Sequence, residues 1–246
     1  MLNIDHISKK VHAFQLKDIC LDIEDGEYVF LLGPSGAGKS MLFDIIAGII
    51  RPDKGEIILD NINITQFPIQ NRKIGIVFQE DTVFPHLNVY QNIAYSLNTN
   101  HTRRTDIRDT VLRLAAEMSI EKLLYRKPAS LSGGEKQRVA IARSLAHHPK
   151  CLLFDEPLTF LDVELREEIM SLLREINKKG LTILHITHDP IEAFSLAGKI
   201  AVIENGEIVQ FGSSENIYKN PESTFIKYFT GKIRNQKDSL PGWMKL

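Results

Sequence analysis

Glu27-Tyr-Val-Phe-Leu-Leu-Gly33-Pro34-Ser35-Gly36-Ala37-Gly38-Lys39-Ser40-Met-Leu-Phe-Asp-Ile-Ile-Ala-Gly48 decides how the rest of the chain reads. A strand-sized apolar run, Glu27–Leu32, enters a glycine-rich turn that opens directly into an apolar helical pattern. The turn fits G-x-x-x-x-G-K-[ST], and strand, turn and helix in that order are the setting this motif requires. Glycines let the backbone curl until its N–H groups face a phosphate, and the following helix N-terminus adds a favourable dipole. In such a loop Lys39 carries its ammonium to the β- and γ-phosphates and Ser40 offers a hydroxyl to Mg2+. Residues Gly33 to Ser40 therefore read as a nucleotide-binding loop. A plain glycine-rich turn is the alternative, and the flanking strand and helix count against it.

Outward from this loop, Glu56–Asp60, Ile74–Phe78, Cys151–Asp155 and Thr182–Thr187 are further buried-strand patterns separated by helical ones. The clearest helix runs from Val163 to about Lys179, with Leu165, Ile169, Leu172, Leu173 and Ile176 at helical spacing and Gly180 as its stop. This alternation predicts an α/β fold with a mostly parallel sheet. Ala201–Glu204, Asn205-Gly206 and Glu207–Phe211 predict a hairpin, giving the fold an antiparallel β part. From about 88 to 148 the periodicity is helical, with Val111, Leu112, Leu114, Ala115 and Met118 in phase, and predicts an inserted α-helical subdomain. Helices are expected at Ser214–Lys219 and Glu222–Phe229. The domain is expected to cover residues 1–231, and 232–246 reads as a short polar tail containing Trp243.

The 246 residues are 43% hydrophobic and 25% charged, which is ordinary globular composition and excludes disorder and fibrous rods. Thirty basic against 31 acidic side chains leave a net charge of -1, so no bulk field recruits nucleic acid or anionic lipid. No run reaches the ~18 apolar residues of a membrane span, and MLNIDHISKK lacks the apolar stretch of a signal peptide. Cys20 and Cys151 form neither a CxxC pair nor a zinc spacing. The expectation is a soluble, reduced, cytosolic protein, to which any membrane must be supplied by another chain.

Two further stretches carry chemistry. Cys151-Leu-Leu-Phe-Asp155-Glu156-Pro157 is an apolar strand ending in two acids, and strand C-termini of a parallel sheet are where ligands sit. Asp155 is then placed to hold Mg2+, and Glu156 to orient or deprotonate an attacking water. Taken alone, the two acids read as well as a helix cap or a solvated turn. Leu131-Ser132-Gly133-Gly134-Glu135 opens a helical run, so it is either a second anion-binding nest or a helix capped by Ser132.

Together these motifs resemble the nucleotide-binding subunit of ATP-binding-cassette transporters, a family built on the P-loop NTPase core. Their order is the family's: phosphate loop, Gln79 after Ile-Gly-Ile-Val-Phe, LSGGE, Asp155-Glu156, Asp162, and His188 in HITHD. The resemblance covers about Leu2 to Gly231. It implies ATP and Mg2+ as ligands and a head-to-tail homodimer, each ATP lying between one loop and the other copy's Ser132, Gly133, Gly134 and Glu135. It implies catalytic roles for Lys39, Gln79, Glu156 and His188: Gln79 contacts Mg2+ or water, and His188 contacts the γ-phosphate and positions Glu156. Ser40, Gln79 and Asp155 form the implied metal set, and Asp162 communicates across the dimer while also fitting the N-cap of the helix at Val163.

Two positions depart from the family pattern. The usual adenine-stacking aromatic falls in Lys9-Lys-Val-His12-Ala-Phe14, where Phe14 and His12 are the candidates and core packing is the other role open to Phe14. Phe160 stands where small residues are common, which touches the dimer contact. The stretch Phe84-Pro-His-Leu87-Asn-Val-Tyr-Gln-Asn-Ile93 resembles importers of oxyanions, sugars and polyamines, where the region receives the membrane subunit. Phe84 and Leu87 fit that contact and intramolecular core equally. The similarity implies integral permease subunits, an extracytoplasmic solute-binding protein and a place at the cytoplasmic membrane face. Molybdate/tungstate cassettes look most similar, with sulfate, polyamine and iron open, and a soluble non-transport cassette is the alternative class.

Overall fold

In a computed structural model the described residues are 1–79, 83–97, 103–159, 161–196 and 198–234, with the side chains of 232–234 excepted. The chain divides into two compact units, Met1–Arg72 with Asn177–Leu246, and Lys73–Ile176. Most of the tail at 232–246, Trp243 included, lies outside the described residues.

The first unit holds two sheets. One is antiparallel, ordered β2-β1-β4-β5, from β1 (Leu2–Val11), β2 (Phe14–Ile23), β4 (Lys54–Leu59) and β5 (Ile62–Asn63). In the other, β3 (Tyr28–Leu32) runs parallel between β8 (Thr182–Thr187) and β9 (Lys199–Glu204). Every residue of β3 and β8 is buried, as their unbroken apolar runs require. β10 (Glu207–Ser213) pairs antiparallel with β9 across Asn205-Gly206, both at positive φ, which is the expected tight turn. Helices α1 (Lys39–Ala47), α6 (Pro190–Leu196), α7 (Ser214–Lys219) and α8 (Thr224–Arg234) complete the unit.

Strands β1 and β2 are not foreseen by sequence periodicity, and their geometry gives the reason. Ile4 pairs with Leu21 and Ile7 with Ile19, so Asp5 and His6 oppose Cys20 alone; Lys17 and Asp18 likewise oppose Ser8. Each bulge shifts the inward-facing phase by one residue and breaks the alternation. His6 and Asp18 sit at φ 51°, in the left-handed region.

In the second unit β6 (Ile74–Val77) and β7 (Cys151–Asp155) pair in parallel. Helices α2 (Val89–Ala94), α3 (Arg104–Glu117) and α4 (Gly133–Leu145) pack on one another. No strand interrupts the described residues between 88 and 148. Helix α5 (Val163–Lys178) ends near the expected stop, with Gly180 at φ 92°. No described helix is long and apolar enough to cross a membrane.

Candidate nucleotide site

The first unit presents the phosphate loop and His188 at one edge. Leu32 of β3 pairs with Thr187 of β8, so the next residues, Gly33 and His188, leave neighbouring parallel strands side by side. This is the C-terminal strand edge where α/β sheets bind ligands. Gly38 begins α1 at φ 109° and no side chain caps the helix. A Cβ there would lie 2.6 Å from Leu16 Cδ2 and 2.9 Å from Phe14 Cζ, so glycine is required by both conformation and space.

Lys39 is 7% exposed, and its ammonium donates to the carbonyls of Gly33 (2.7 Å) and Pro34 (3.0 Å). The loop is thereby wrapped around its own cation. Ala37 is buried and its carbonyl accepts from Gly206 N–H at 3.0 Å, tying the loop to the β9–β10 turn. Ser35, Gly36 and Ser40 are exposed, Ser40 in the first turn of α1. Of the two stacking candidates, Phe14 is half-buried with its ring against Gly38, whereas His12 is exposed in the β1–β2 turn. His188 is exposed at the end of β8.

The second unit collects the other predicted residues. Val77 pairs with Phe154, the last pair of the two parallel strands, and Gln79 and Glu156 each follow two residues beyond it. Gln79 is exposed; Asp155 and Glu156 are half-buried. Glu156 has φ 45°, and its Oε2 accepts from Thr159 Oγ1 at 3.2 Å. A non-glycine residue held left-handed costs roughly 1–3 kcal/mol and persists where its surroundings over-determine it. The strained residue is the proposed water-orienting acid.

Ser132 caps α4: its hydroxyl accepts from Glu135 N–H (3.2 Å) and the Glu135 carboxylate accepts from Ser132 N–H (2.7 Å). The cap reading is thus realised, and it leaves the serine proton available for a phosphate oxygen, since a hydroxyl donates and accepts at once. A Cβ on Gly134 would meet Leu165 Cδ1 at 2.3 Å, so α4 starts hard against the first turn of α5. Asp162 caps that helix through Oδ1, which accepts from Leu165 N–H at 2.9 Å. Phe160 lies outside the described residues.

Near the importer-like stretch, Phe84 is half-buried beneath the Arg143 guanidinium (4.5 Å) and beside Tyr95 (4.6 Å), so the intramolecular reading of Phe84 is realised. Burial lowers the Arg143 pKa from its ordinary value. Asn92 has no solvent exposure. Its amide bonds Phe84 N–H and the carbonyls of Phe84, Leu87 and Asn88, which staples the turn before α2. Sequence reading gives Asn92 no role; an amide three residues after a helix start, among apolar neighbours, is the signal available.

Residues 16–159 match the family model for the ABC transporter. The chain is 42% identical over 232 residues to the molybdate/tungstate import ATP-binding protein WtpC of Pyrococcus abyssi, covering 94% of this chain and 67% of the relative. It is 40% identical to the spermidine/putrescine import ATP-binding protein PotA of Protochlamydia amoebophila, covering 98% and 64%. The chain thus spans about two thirds of these relatives. Among solved structures, the cassette MJ0796, dimeric in a post-hydrolysis state with ADP and phosphate, superposes with a TM-score of 0.76 at 32% identity, covering 87% of this chain and 99% of that one. Sequence order, site geometry and these similarities agree: the chain belongs to the ABC transporter family and is an ATP-binding cassette with ATPase activity.

Proposed function

We propose that this cassette powers a membrane importer for a small oxyanion of the molybdate or tungstate kind, working as a head-to-tail homodimer at the cytoplasmic face beneath permease subunits. The observation that carries the ATPase part is that Gln79 and Glu156 both follow on the C-terminal ends of one parallel strand pair. Identity to the molybdate/tungstate relative supports the solute. A polyamine is the second reading, favoured by the 98% coverage of this chain by the PotA relative. An extracytoplasmic solute-binding protein completes the proposed system, and the domain boundary proposed is residue 231.

Each residue has a part. Lys39 neutralises charge on the β- and γ-phosphates, and the N–H groups at the start of α1 bind their oxygens. Ser40 hydroxyl, Gln79 amide oxygen and Asp155 carboxylate are hard oxygen donors, the kind that Mg2+ takes, and Ser40 and Gln79 are exposed. When bound, the ion would supply charge neutralisation on the phosphates of the nucleotide. Glu156 orients the water, and His188 contacts the γ-phosphate. Ser132, Gly133, Gly134 and Glu135 of the second copy close over the nucleotide, with Asp162 relaying across the pair. Phe14 stacks on the adenine.

The test is capture of a tagged Glu156→Gln chain from its native membranes. Turnover is expected to fall by about 100-fold or more while ATP remains bound, as on loss of a group that acts in the transition state. An integral membrane protein is expected to co-purify, with the identity of a co-captured binding protein deciding between oxyanion and polyamine. Normal turnover sinks the role of Glu156; purely soluble partners from well-extracted membranes sink the importer.

A further inference from the structure

The residues on either side of His188 are tied into a buried polar chain that starts in the central sheet. Phe30 of β3 pairs directly with His185 of β8, and their rings stack at 4.4 Å. His185 has no exposure. Its Nδ1 lies 2.9 Å from the Tyr28 hydroxyl and its Nε2 lies 2.8 Å from Glu192 Oε1. The Nε2–Oε1 approach is a close contact without hydrogen-bond alignment, and the Nδ1–Tyr28 pair is the hydrogen bond that ties His185 to β3. Glu192, 6% exposed on α6, uses Oε2 to accept the Thr187 hydroxyl at 2.8 Å. Thr187 Oγ1 in turn accepts Asp189 N–H at 3.0 Å.

Thr187 and Asp189 flank His188, so one hydroxyl closes the turn that carries the histidine, and one buried carboxylate fixes that hydroxyl. A buried glutamate is costly, and apolar side chains would fill the same space with less desolvation. One of its oxygens holds the hydroxyl that closes the His188 turn and the other lies against His185 of the sheet. We propose that Glu192 and Thr187 are positioning residues for His188, anchored to the sheet through His185 and Tyr28. The proposal rests on the reading of His188 as a γ-phosphate contact.

Thr187→Val removes the hydroxyl at constant shape. Glu192→Ala removes the anchor, and Glu192→Gln keeps an acceptor for Thr187. The homodimer's ATP turnover, KM, direct ATP affinity and melting temperature are measured for each. Thr187→Val and Glu192→Ala are expected to lower kcat about tenfold, the worth of one hydrogen bond in the transition state, with KM and ATP affinity within about twofold. Glu192→Gln is expected to retain at least about half of kcat, because the amide oxygen replaces the acceptor. A lowered melting temperature with unchanged kcat in Thr187→Val marks a structural role only and overturns the proposal. Should Glu192→Ala fail to fold, Thr187→Val decides alone. His188→Ala separates the two levels. Intact turnover in it removes the reading of His188 and the proposal with it, whereas lost turnover beside a normal Thr187→Val removes positioning alone.

Discussion

Two helix starts, α1 and α4, solve the same electrostatic problem in opposite ways. Each begins beside glycines and exposes the N–H groups that a helix cannot bond internally. At α1 the N-cap is Gly38, no side chain caps it, and the first turn carries Lys39 and no acid. At α4 the N-cap is Ser132, and Glu135 closes a reciprocal capping box. The first start is left electrically open and lined with a cation, which suits a polyphosphate. The second is already satisfied by its own side chains and holds an acid in its first turn, so it suits a partner that adds contacts without displacing the cap. Glycine also serves differently: at Gly38 for a left-handed backbone, at Gly134 for close approach to Leu165.

The largest break in this contrast is expected from Gly38→Ala. The new Cβ meets Leu16 and Phe14, and φ 109° is strained for any L side chain. ATP affinity is expected to fall about 100-fold, about 2.7 kcal/mol, measured by titration calorimetry with MgATP. Undiminished affinity would mean that α1 does not hold the phosphates. Gly134→Ala acts by packing instead. It is expected to destabilise the chain by about 1–3 kcal/mol in urea unfolding, and Leu165→Ala in the same chain should recover part of that loss by vacating the space. No recovery would show that backbone freedom, not contact, requires the glycine.

Ser132→Ala sharpens the comparison further. Loss of the cap is expected to cost about 1 kcal/mol of stability. If the serine proton also reaches a phosphate in the dimer, turnover falls while ATP binding to the single chain does not. A variant with lower stability and full turnover would leave Ser132 a cap and nothing more.

What was legible divides along similar lines. The phosphate loop, the Asn205-Gly206 hairpin, the stop at Gly180 and the acidic strand end are local signals, carried by residues adjacent in the chain. Register is not local. That Gln79 and Glu156 follow on neighbouring strand ends, and Gly33 and His188 likewise, emerges only once β6 meets β7 and β3 meets β8. Strands β1 and β2 were hidden because their bulges spoil the period of two. Arg72 was hidden for another reason. It is 1% exposed and its guanidinium bonds the carbonyls of Ile45, Ile46, Thr65 and Phe67, satisfying the last turn of α1 from 26 residues away. A charged side chain in a polar loop gives no hint that it will be buried beneath a helix end.

The other end of α4 supplies the smallest expected effect. His147 follows the C-cap residue Ala146, where a helix dipole favours a protonated imidazole. Burial works the other way and lowers its pKa below 6.5, reinforced by the charge of His148 and opposed by a backbone hydrogen bond at Ile74. With the folded value below the unfolded one, the unfolded chain binds more protons, so stability rises with pH across that interval. The contribution is complete above pH 6.5 and is lost as the pH falls from there through the folded value. His147→Gln removes the titration, so the difference in unfolding free energy between wild type and variant is expected to shift against the wild type only below about pH 6.5. A difference constant from pH 5 to 8 (in ~0.15 M salt) would mean that the dipole at the end of α4 offsets the burial, and that helix ends govern charge here more than desolvation does.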